Sequence, residues 1–196
     1  PLNHTLSTAS QFGMQLEFIN RQDYRNKEQP DFLAELQSRF PNAYIIPEGG
    51  TNSLAIQGCK EILSEQDRQN YDVICCAVGT GGTITGLIES SHFNQNILGF
   101  SALKGDFLTH DVAHLTAKKN WKIIDEYCCG GYAKTSAQLI EFIQLFEKQY
   151  QIPLEPIYTG KMLFGIFDLI GKAYFPPHTR ILAIHSGGLQ GRQNLL

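Results

Sequence analysis

Short runs of consecutive apolar residues alternate along the chain with longer segments in which apolar positions recur at helical spacing. The runs are rich in Ile, Val and Leu, a composition typical of strands that are covered on both faces. They predict strands over residues 16–20, 43–47, 72–78, 96–103, 121–125 and 180–186, and helices near 31–39, 53–68, 83–91, 106–118, 136–150 and 161–173. This order predicts an α/β fold with open, mostly parallel sheets and helices on both faces.

The clearest helix signal lies at the segment KTSAQ. Here Thr135 and Gln138 have the spacing of a capping box, in which each side chain bonds the backbone N–H of the other residue. We therefore predict that a helix begins at this box and buries one apolar stripe. That stripe consists of Leu139, Phe142, Ile143 and Phe146.

Composition narrows the class of protein. The chain of 196 residues is 42% hydrophobic and 18% charged, with a formal net charge of -3, as in many water-soluble globular proteins. It has no basic patch interleaved with aromatic residues, so we expect no nucleic-acid partner. No apolar run approaches the roughly 18 residues of a membrane helix, and no secretory signal begins the chain. We therefore expect a cytoplasmic protein without membrane contact.

Five cysteines occur, as Cys59 and the adjacent pairs 75–76 and 128–129. Neighbouring residues of a strand point to opposite faces, which suits neither a shared metal ion nor a disulfide. We expect small buried residues in a reducing cytosol and no metal site. A zinc or redox role is the less favoured alternative.

Open α/β folds bind ligands at the carboxyl ends of their strands. Loops rich in Gly, Ser or Thr follow three of the predicted strands, and a fourth candidate segment precedes a predicted helix. These segments are PEGGTNS (47–53), VGTGGTITG (78–86), HSGG (185–188) and EPIYTGK (155–161). The carboxyl edge of the sheet is therefore the predicted ligand site.

The loop over residues 78–86 has the composition of an anion site. Its glycines let several backbone N–H groups point at one spot, and the start of the following helix adds a positive dipole end. Two nucleotide motifs fail, because Ile84 stands where G-x-G-x-x-G needs a glycine, and Leu87 and Ile88 replace the Lys and Ser/Thr of a P-loop. A single phosphate group is favoured, and a tight turn without a ligand stays open as the alternative.

Six segments together are more specific than any one of them: IIPEGGTNSLAIQG, AVGTGGTITG, ALKGDFL, GGYAK, EPIYTGK and ILAIHSGG. In their order the chain resembles the 1-aminocyclopropane-1-carboxylate deaminase/D-cysteine desulfhydrase family, over nearly all of its length. These are pyridoxal-phosphate (PLP) enzymes of fold type II, the tryptophan-synthase-β-like group. The resemblance implies a lyase or deaminase that converts a small amino acid to a 2-oxo acid and ammonia, in a family that is often homodimeric.

The resemblance also implies roles for individual residues. Ser186 matches a hydroxyl residue that hydrogen-bonds the pyridine nitrogen N1, and Tyr158 and Tyr132 match active-site tyrosines. The structural alternatives are that Ser186 only caps the end of its strand and that Tyr132 only packs in the protein with its hydroxyl hydrogen-bonded. The amide of Asn52 is predicted either to bond the ring O3′ or to N-cap the next helix, and we weigh these two roles equally. The family's phosphate loop matches Gly79, Thr80, Gly81, Gly82 and Thr83.

Thr159 is predicted to bear on the substrate. In the cyclopropane deaminases that the chain resembles, the matching residue is acidic and partners N1. The D-cysteine desulfhydrase-like members instead carry YTGK, together with a hydroxyl residue in the last-strand motif. Thr159 together with Ser186 therefore favours β-elimination of the desulfhydrase type over opening of a cyclopropane ring.

The family's Schiff-base lysine lies in a stretch resembling GNKxRK, which does not occur here, and we assign Lys161 only a structural or charge role. We expect residues 1–196 to be the C-terminal two-thirds of a fold type II enzyme that lacks its N-terminal part, with no domain boundary assignable. A natural truncation, or a lysine supplied by a separate chain, is the alternative. A catalytically silent domain that binds a phosphate ligand is the alternative function.

Overall fold

The computed structural model describes residues 2–192, and the chain divides into two compact units, residues 1–48 and 49–196. None of the helices in the described residues is long and apolar enough to span a bilayer. The helices are α1 (His4–Gln11), α2 (Arg21–Arg25), α3 (Pro30–Arg39), α4 (Ser53–Cys59), α5 (Glu65–Asn70), α6 (Gly82–Ser90), α7 (Phe107–Leu115), α8 (Ala137–Tyr150) and α9 (Thr159–Gly171). The strands are β1 (Val73–Val78), β2 (Asn96–Ser101), β3 (Trp121–Ile124) and β4 (Ile181–Ile184), and Glu48–Gly50 and Leu189–Arg192 form 3-10 turns.

The second unit is built on a four-stranded sheet with the order β3-β2-β1-β4. All three strand pairings are parallel: β1 pairs with β2 along its whole length and with β4 along its first part, and β2 pairs with β3. Helices cover both faces of this sheet. The predicted α/β fold with a parallel sheet is therefore confirmed.

Successive side chains of β1 point to opposite faces of the sheet, so the core of this unit consists of two clusters. Val73 and Cys75 pack with α8 and α9 on one face, and Ile74 and Cys76 pack with α6 and α7 on the other. Because both faces are covered, the strand is apolar at every position. Burial raises the pKa of Cys76 to about 12 and also raises the pKa of Cys75, so both thiols stay protonated at neutral pH.

Helix α8 begins one residue later than its predicted capping box. Ser136, not Thr135, is the N-cap, and its hydroxyl accepts a hydrogen bond from the Leu139 N–H at 3.1 Å. The sequence offers two adjacent hydroxyl residues, so spacing alone does not choose between them. The predicted box is therefore wrong, while the helix that follows it is confirmed.

The single helix predicted over residues 53–68 is two helices, α4 and α5. Ser64 and Asp67 form a capping box that starts α5, with the Ser64 hydroxyl accepting from the Asp67 N–H at 3.1 Å and the Asp67 carboxylate accepting from the Ser64 N–H at 2.9 Å. Leu63, just before this box, is buried. The break between the helices thus delivers an apolar side chain to the core, a tertiary gain that overrides helix propensity.

A glycine inside α6 lets α4 approach closely. A Cβ atom at Gly86 would lie 2.7 Å from the carbonyl carbon of Cys59, which is too short for any side chain. Helix α4 therefore packs directly against α6. This packing brings residues 49–51, which precede α4, to the start of α6.

The first unit contains α1, α2 and α3, and residues 2–48 include no buried side chain. Asn3 and Asn20 N-cap α1 and α2. Glu48 accepts from the Tyr24 hydroxyl at 2.5 Å and pairs with the Lys27 ammonium at 3.1 Å. The hydrophobic pattern predicted neither α1 nor α2, since helices of 8 and 5 residues are too short to show a clear helical period.

The strands predicted over residues 16–20 and 43–47 are wrong. Neither segment pairs with a strand in the part of the chain that the structure describes. A strand needs a neighbour for its N–H and C=O groups, and an apolar run carries no information about whether one is present. Phe18 and Ile46, the apolar residues that suggested these strands, are 71% and 72% exposed.

The core between α8 and the sheet is tested by Leu139→Ala. Leu139 is fully buried, so its truncation should leave a cavity and lower the free energy of unfolding by about 2–5 kcal/mol. Leu145 lies on the same helix and is 59% exposed, so Leu145→Ala is the matched control and should change that free energy by less than about 0.5 kcal/mol. Urea denaturation followed by circular dichroism measures both, and equal losses would contradict the assigned core face.

Candidate functional site

A cavity of about 330 Å³ opens at the carboxyl ends of β1 and β4. Its volume falls within the roughly 300–1,000 Å³ of pockets that bind small molecules. The lining comes from parts of residues 49–59, from residues 77–84 and 186–188, and from Tyr158. This is the edge of the sheet at which the topology predicts a ligand.

The turn between β1 and α6 contributes the anion loop. Gly81 is the N-cap of α6 at a φ of 90°, and it offers no side-chain cap, so the first N–H groups of α6 have no partner within the helix. A left-handed φ favours glycine, which accounts for the residue at this position. These N–H groups and the helix dipole make the start of α6 suited to a phosphate. All five residues predicted to hold the phosphate, 79–83, line the cavity.

A second glycine loop, residues 49–51, closes on the anion loop. The hydroxyl oxygens of Thr51 and Thr80 share a hydrogen bond at 2.7 Å. A Cβ atom at Gly49 would lie 2.5 Å from the Thr80 methyl carbon, and one at Gly82 would lie 2.8 Å from the Thr51 hydroxyl oxygen. Glycines on both sides therefore allow the two loops to interlock.

Tyr158 forms part of the cavity wall. A Cβ atom at Gly79 would lie 3.4 Å from its ring, so the ring packs directly on the anion loop. The rings of Tyr158 and Tyr132 meet edge to face, with centroids 6.1 Å apart. Burial, followed by the neighbouring Tyr132 phenol, raises the pKa of Tyr158 to about 12, so its hydroxyl is a proton-bearing donor at neutral pH. The structure thus brings the two predicted tyrosines together, although Tyr132 itself is 57% exposed.

Glu155, which the sequence analysis did not single out, holds the backbone at the start of α9. Its carboxylate is fully buried and accepts the N–H groups of Ile157, Tyr158 and Thr159 at 2.6, 2.8 and 2.5 Å. The positive end of the helix dipole also stabilises this negative charge. An acidic residue shortly before a helix is a known N-terminal signal, so the sequence did carry a hint of this role.

Thr159 and Asn52 lie outside the cavity lining. Thr159 is fully buried, and its hydroxyl donates to the Glu155 carboxylate at 3.2 Å. Asn52 N-caps α4, with its side-chain oxygen accepting from the Ala55 N–H at 2.8 Å. This is one of the two predicted roles of Asn52. The other role, a bond to the ring O3′, would use the NH₂ group of the same amide and stays a prediction.

Ser186 lies at the cavity, just beyond the end of β4. Its neighbour His185, which was not predicted to matter, anchors this turn. The His185 Nε2 lies 2.9 Å from the Pro153 carbonyl oxygen, and the Gly187 N–H donates to its Nδ1 at 3.1 Å. A carbonyl only accepts, so Nε2 is the donor to Pro153, while Nδ1 accepts from the Gly187 N–H. The His185 imidazole therefore fixes the backbone segment that contains Ser186.

A family profile described as "Pyridoxal-phosphate dependent enzyme" matches residues 5–187. The chain belongs to this family. The matched span includes the anion loop, both tyrosines and Ser186. PLP is accordingly the cofactor of the family to which this site belongs.

Relatives within the PLP family match along most of the chain. A protein of Thermotoga maritima named "Putative 1-aminocyclopropane-1-carboxylate deaminase" is 29% identical over 174 residues, covering 79% of this chain and 54% of its own length. One of Pyrococcus furiosus with the same name is 30% identical over 177 residues, covering 80% and 53%. The chain thus spans about half the length of these curated relatives.

A solved structure titled "Crystal Structure Analysis of the ACC deaminase homologue" matches with a TM-score of 0.79 at 25% identity, covering 94% of this chain and 62% of that one. These matches confirm the family resemblance stated above and, with it, fold type II.

The donors at the cavity fit a PLP phosphate. They are backbone N–H groups at a helix start together with the hydroxyls of Thr80 and Thr83, and the glycine positions leave the backbone open to close approach. No lysine is among the residues that line the cavity in the described part of the chain. Within residues 2–192 there is also no group of three or more His, Cys, Asp or Glu side chains suited to a metal ion.

Gly81→Val should weaken PLP binding by the complete protein. A β-branched residue at a φ of 90° is strained, and its Cβ would lie 3.1 Å from the Val112 side chain, so the N–H groups of the loop should turn away from the phosphate. Loss of one charge-assisted hydrogen bond predicts a rise in Kd of about tenfold or more, measured by absorbance titration with PLP.

Gly13→Val is the matched control for that variant. Gly13 has nearly the same φ, 88°, has no atom within 4 Å of a built Cβ, and lies in the other unit. It carries the same backbone strain at a position outside the unit that contains the loop. Equal loss of PLP affinity in both variants would remove the anion loop from the binding site.

Proposed function

We propose that the complete protein is a PLP-dependent lyase or deaminase acting on a small amino acid, with a 2-oxo acid and ammonia as products. Membership of the PLP family supports the cofactor, and the names of the relatives support deamination as the class of reaction. The observation that carries the proposal is the meeting of an anion loop, Tyr158 and Ser186 in one cavity.

Bound PLP supplies an electron sink for negative charge that develops on a substrate carbon. The residues of this chain bind and orient the cofactor. We assign its phosphate to the N–H groups of residues 79–83 and to the hydroxyls of Thr80 and Thr83. The ring nitrogen is assigned to the hydroxyl of Ser186, which the His185 contacts hold at the cavity.

Tyr158 is the group that we place beside the substrate. Its raised pKa keeps a proton on the phenol at neutral pH, so it serves as a hydrogen-bond donor or as a source of a proton. Its backbone N–H is held by Glu155 and its ring by the edge of Tyr132, so few positions are open to the hydroxyl. Tyr132 is the second catalytic tyrosine of the proposal.

Within this class we propose D-cysteine or another β-substituted alanine as the preferred substrate. A serine hydroxyl leaves the ring nitrogen largely neutral, which gives a weaker electron sink than a carboxylate partner does. Expulsion of a thiolate needs only a weak electron sink, because thiolate is a good leaving group. Opening a cyclopropane ring has no good leaving group, so it needs a strong sink. Thr159 offers no carboxylate, and the nearby Glu155 carboxylate is occupied by three backbone N–H groups.

The substrate proposal is tested by assaying the complete protein with D-cysteine and with 1-aminocyclopropane-1-carboxylate side by side. Pyruvate and 2-oxobutanoate are the products to follow. We expect kcat/KM to be at least about tenfold higher for D-cysteine. A preference for the cyclopropane would contradict the substrate and leave the PLP class intact. Binding of PLP without turnover of any amino acid would indicate the silent phosphate-binding domain instead.

Ser186→Ala separates turnover from cofactor affinity. One neutral hydrogen bond is worth about 1 kcal/mol, so the Kd for PLP should rise by less than about fivefold. Turnover should fall further, because the hydroxyl also sets the electronic state of the ring. Ser10→Ala, at an exposed position of α1, is the matched control. Unchanged kcat in Ser186→Ala would show that this hydroxyl does not contact the ring.

A further inference from the structure

Lys161 is a buried cation in the first turn of α9. Its side chain is 1% exposed. Its ammonium donates to the Gly131 carbonyl at 2.9 Å and, less closely, to the Ala102 carbonyl at 3.5 Å. Burying a charge is unfavourable unless hydrogen bonds satisfy it, and burial here lowers the pKa of Lys161. Two backbone carbonyls are therefore the groups that keep this lysine inside the protein.

Both carbonyls belong to loops at the carboxyl edge of the sheet. Ala102 follows β2, and its N–H donates to the carbonyl of Val78, the last residue of β1 before the anion loop, at 3.0 Å. Gly131 directly precedes Tyr132 in residues 128–133, which we call the tyrosine turn. Lys161 thus joins the tyrosine turn to the strand end that leads into the anion loop.

The tyrosine turn is held at its start by Cys128, which is buried, and by Cys129, which packs against the core. Beyond these residues its support is local backbone hydrogen bonding. Gly131 donates to the Cys128 carbonyl at 3.0 Å, and the Lys134 N–H donates to the Gly131 carbonyl at 3.2 Å. Gly130 and Gly131 have φ values of 90° and 131°. Because glycine restricts the backbone little, these two residues do not by themselves fix the conformation of the turn. A hydrogen bond from a charged donor is stronger than these neutral ones, so the Lys161 contact is the strongest hydrogen bond at the Gly131 end of the turn.

We propose that Lys161 is a positioning residue, which fixes the tyrosine turn and thereby the edge-to-face contact of Tyr132 with Tyr158 at the cavity. The part played by the two tyrosines rests on the proposed function. The placement of the turn by Lys161 does not rest on it, so the two are measured separately.

Hydrogen exchange measures the placement of the turn without substrate or cofactor. In the complete protein, Lys161→Met keeps an unbranched apolar side chain of four atoms and removes the ammonium donor. The amides of Gly131 and Lys134 should then exchange about tenfold faster, with the amides of α8 unchanged. Lys134→Met is the matched control, because Lys134 lies next to the same turn and is exposed. Unchanged exchange at Gly131 and Lys134 in the folded Lys161→Met protein overturns the proposal.

Lys161→Gln provides a second variant in case Lys161→Met does not fold. Its neutral side chain is one atom shorter and does not reach the Gly131 carbonyl as the lysine does. It should raise exchange at the same two amides and at no amide of α8. A folded Lys161→Gln protein in which exchange rises evenly along the chain would show a general role in packing and overturn the proposal.

A double-mutant cycle then tests whether Lys161 acts through Tyr132. Lys161→Met should lower kcat/KM about tenfold in the presence of Tyr132 and less than about twofold in a Tyr132→Ala background. Equal losses in both backgrounds would show that Lys161 does not act through this tyrosine. Faster exchange in a protein that turns over no amino acid would uphold the role of Lys161 and refute the proposed function.

Discussion

The site depends on how closely two backbone loops approach each other at the end of β1. Residues 49–51 and 79–83 interlock only because glycines face threonines where any Cβ would collide. That approach in turn depends on Gly86, which lets α4 pack directly on α6. The N–H groups at the start of α6 are thus left without side-chain partners and turned toward one cavity. At the proposed phosphate site the donors are mainly backbone N–H groups, so we expect substitutions that add volume to lower phosphate affinity more than those that change charge.

Helix α9 begins between two buried charges. One holds Tyr158, which lines the cavity, and the other holds the turn of Tyr132, whose ring packs on Tyr158. The Glu155 carboxylate accepts hydrogen bonds from three backbone N–H groups around the helix start, which fixes the backbone position of Tyr158. The Lys161 ammonium, in the first turn of the helix, reaches the Gly131 carbonyl beside Tyr132. Neither charge faces the cavity, yet the contact between the two rings depends on both. Hydrogen bonds from charged groups to backbone suit this task because they are strong and have few alternative geometries.

Several features encoded within a few neighbouring residues were predictable from the sequence, whereas those that depend on distant partners were missed. The anion loop is a contiguous strand, turn and helix start, so its glycines could be interpreted directly. The strands predicted over 16–20 and 43–47 failed because pairing depends on a neighbour elsewhere in the chain. His185 was missed because its partner, Pro153, lies 32 residues away, and the burial of the Thr159 hydroxyl against Glu155 appears only once α9 is packed. At α8, two adjacent hydroxyl residues left the cap ambiguous by one position.

A crystal structure of the complete protein with PLP would test the central claim most directly. We expect the phosphate oxygens to lie about 3 Å from backbone nitrogens of residues 79–83, with the ring of the cofactor between Tyr158 and Ser186. A phosphate held elsewhere, with the start of α6 facing only solvent, would contradict it.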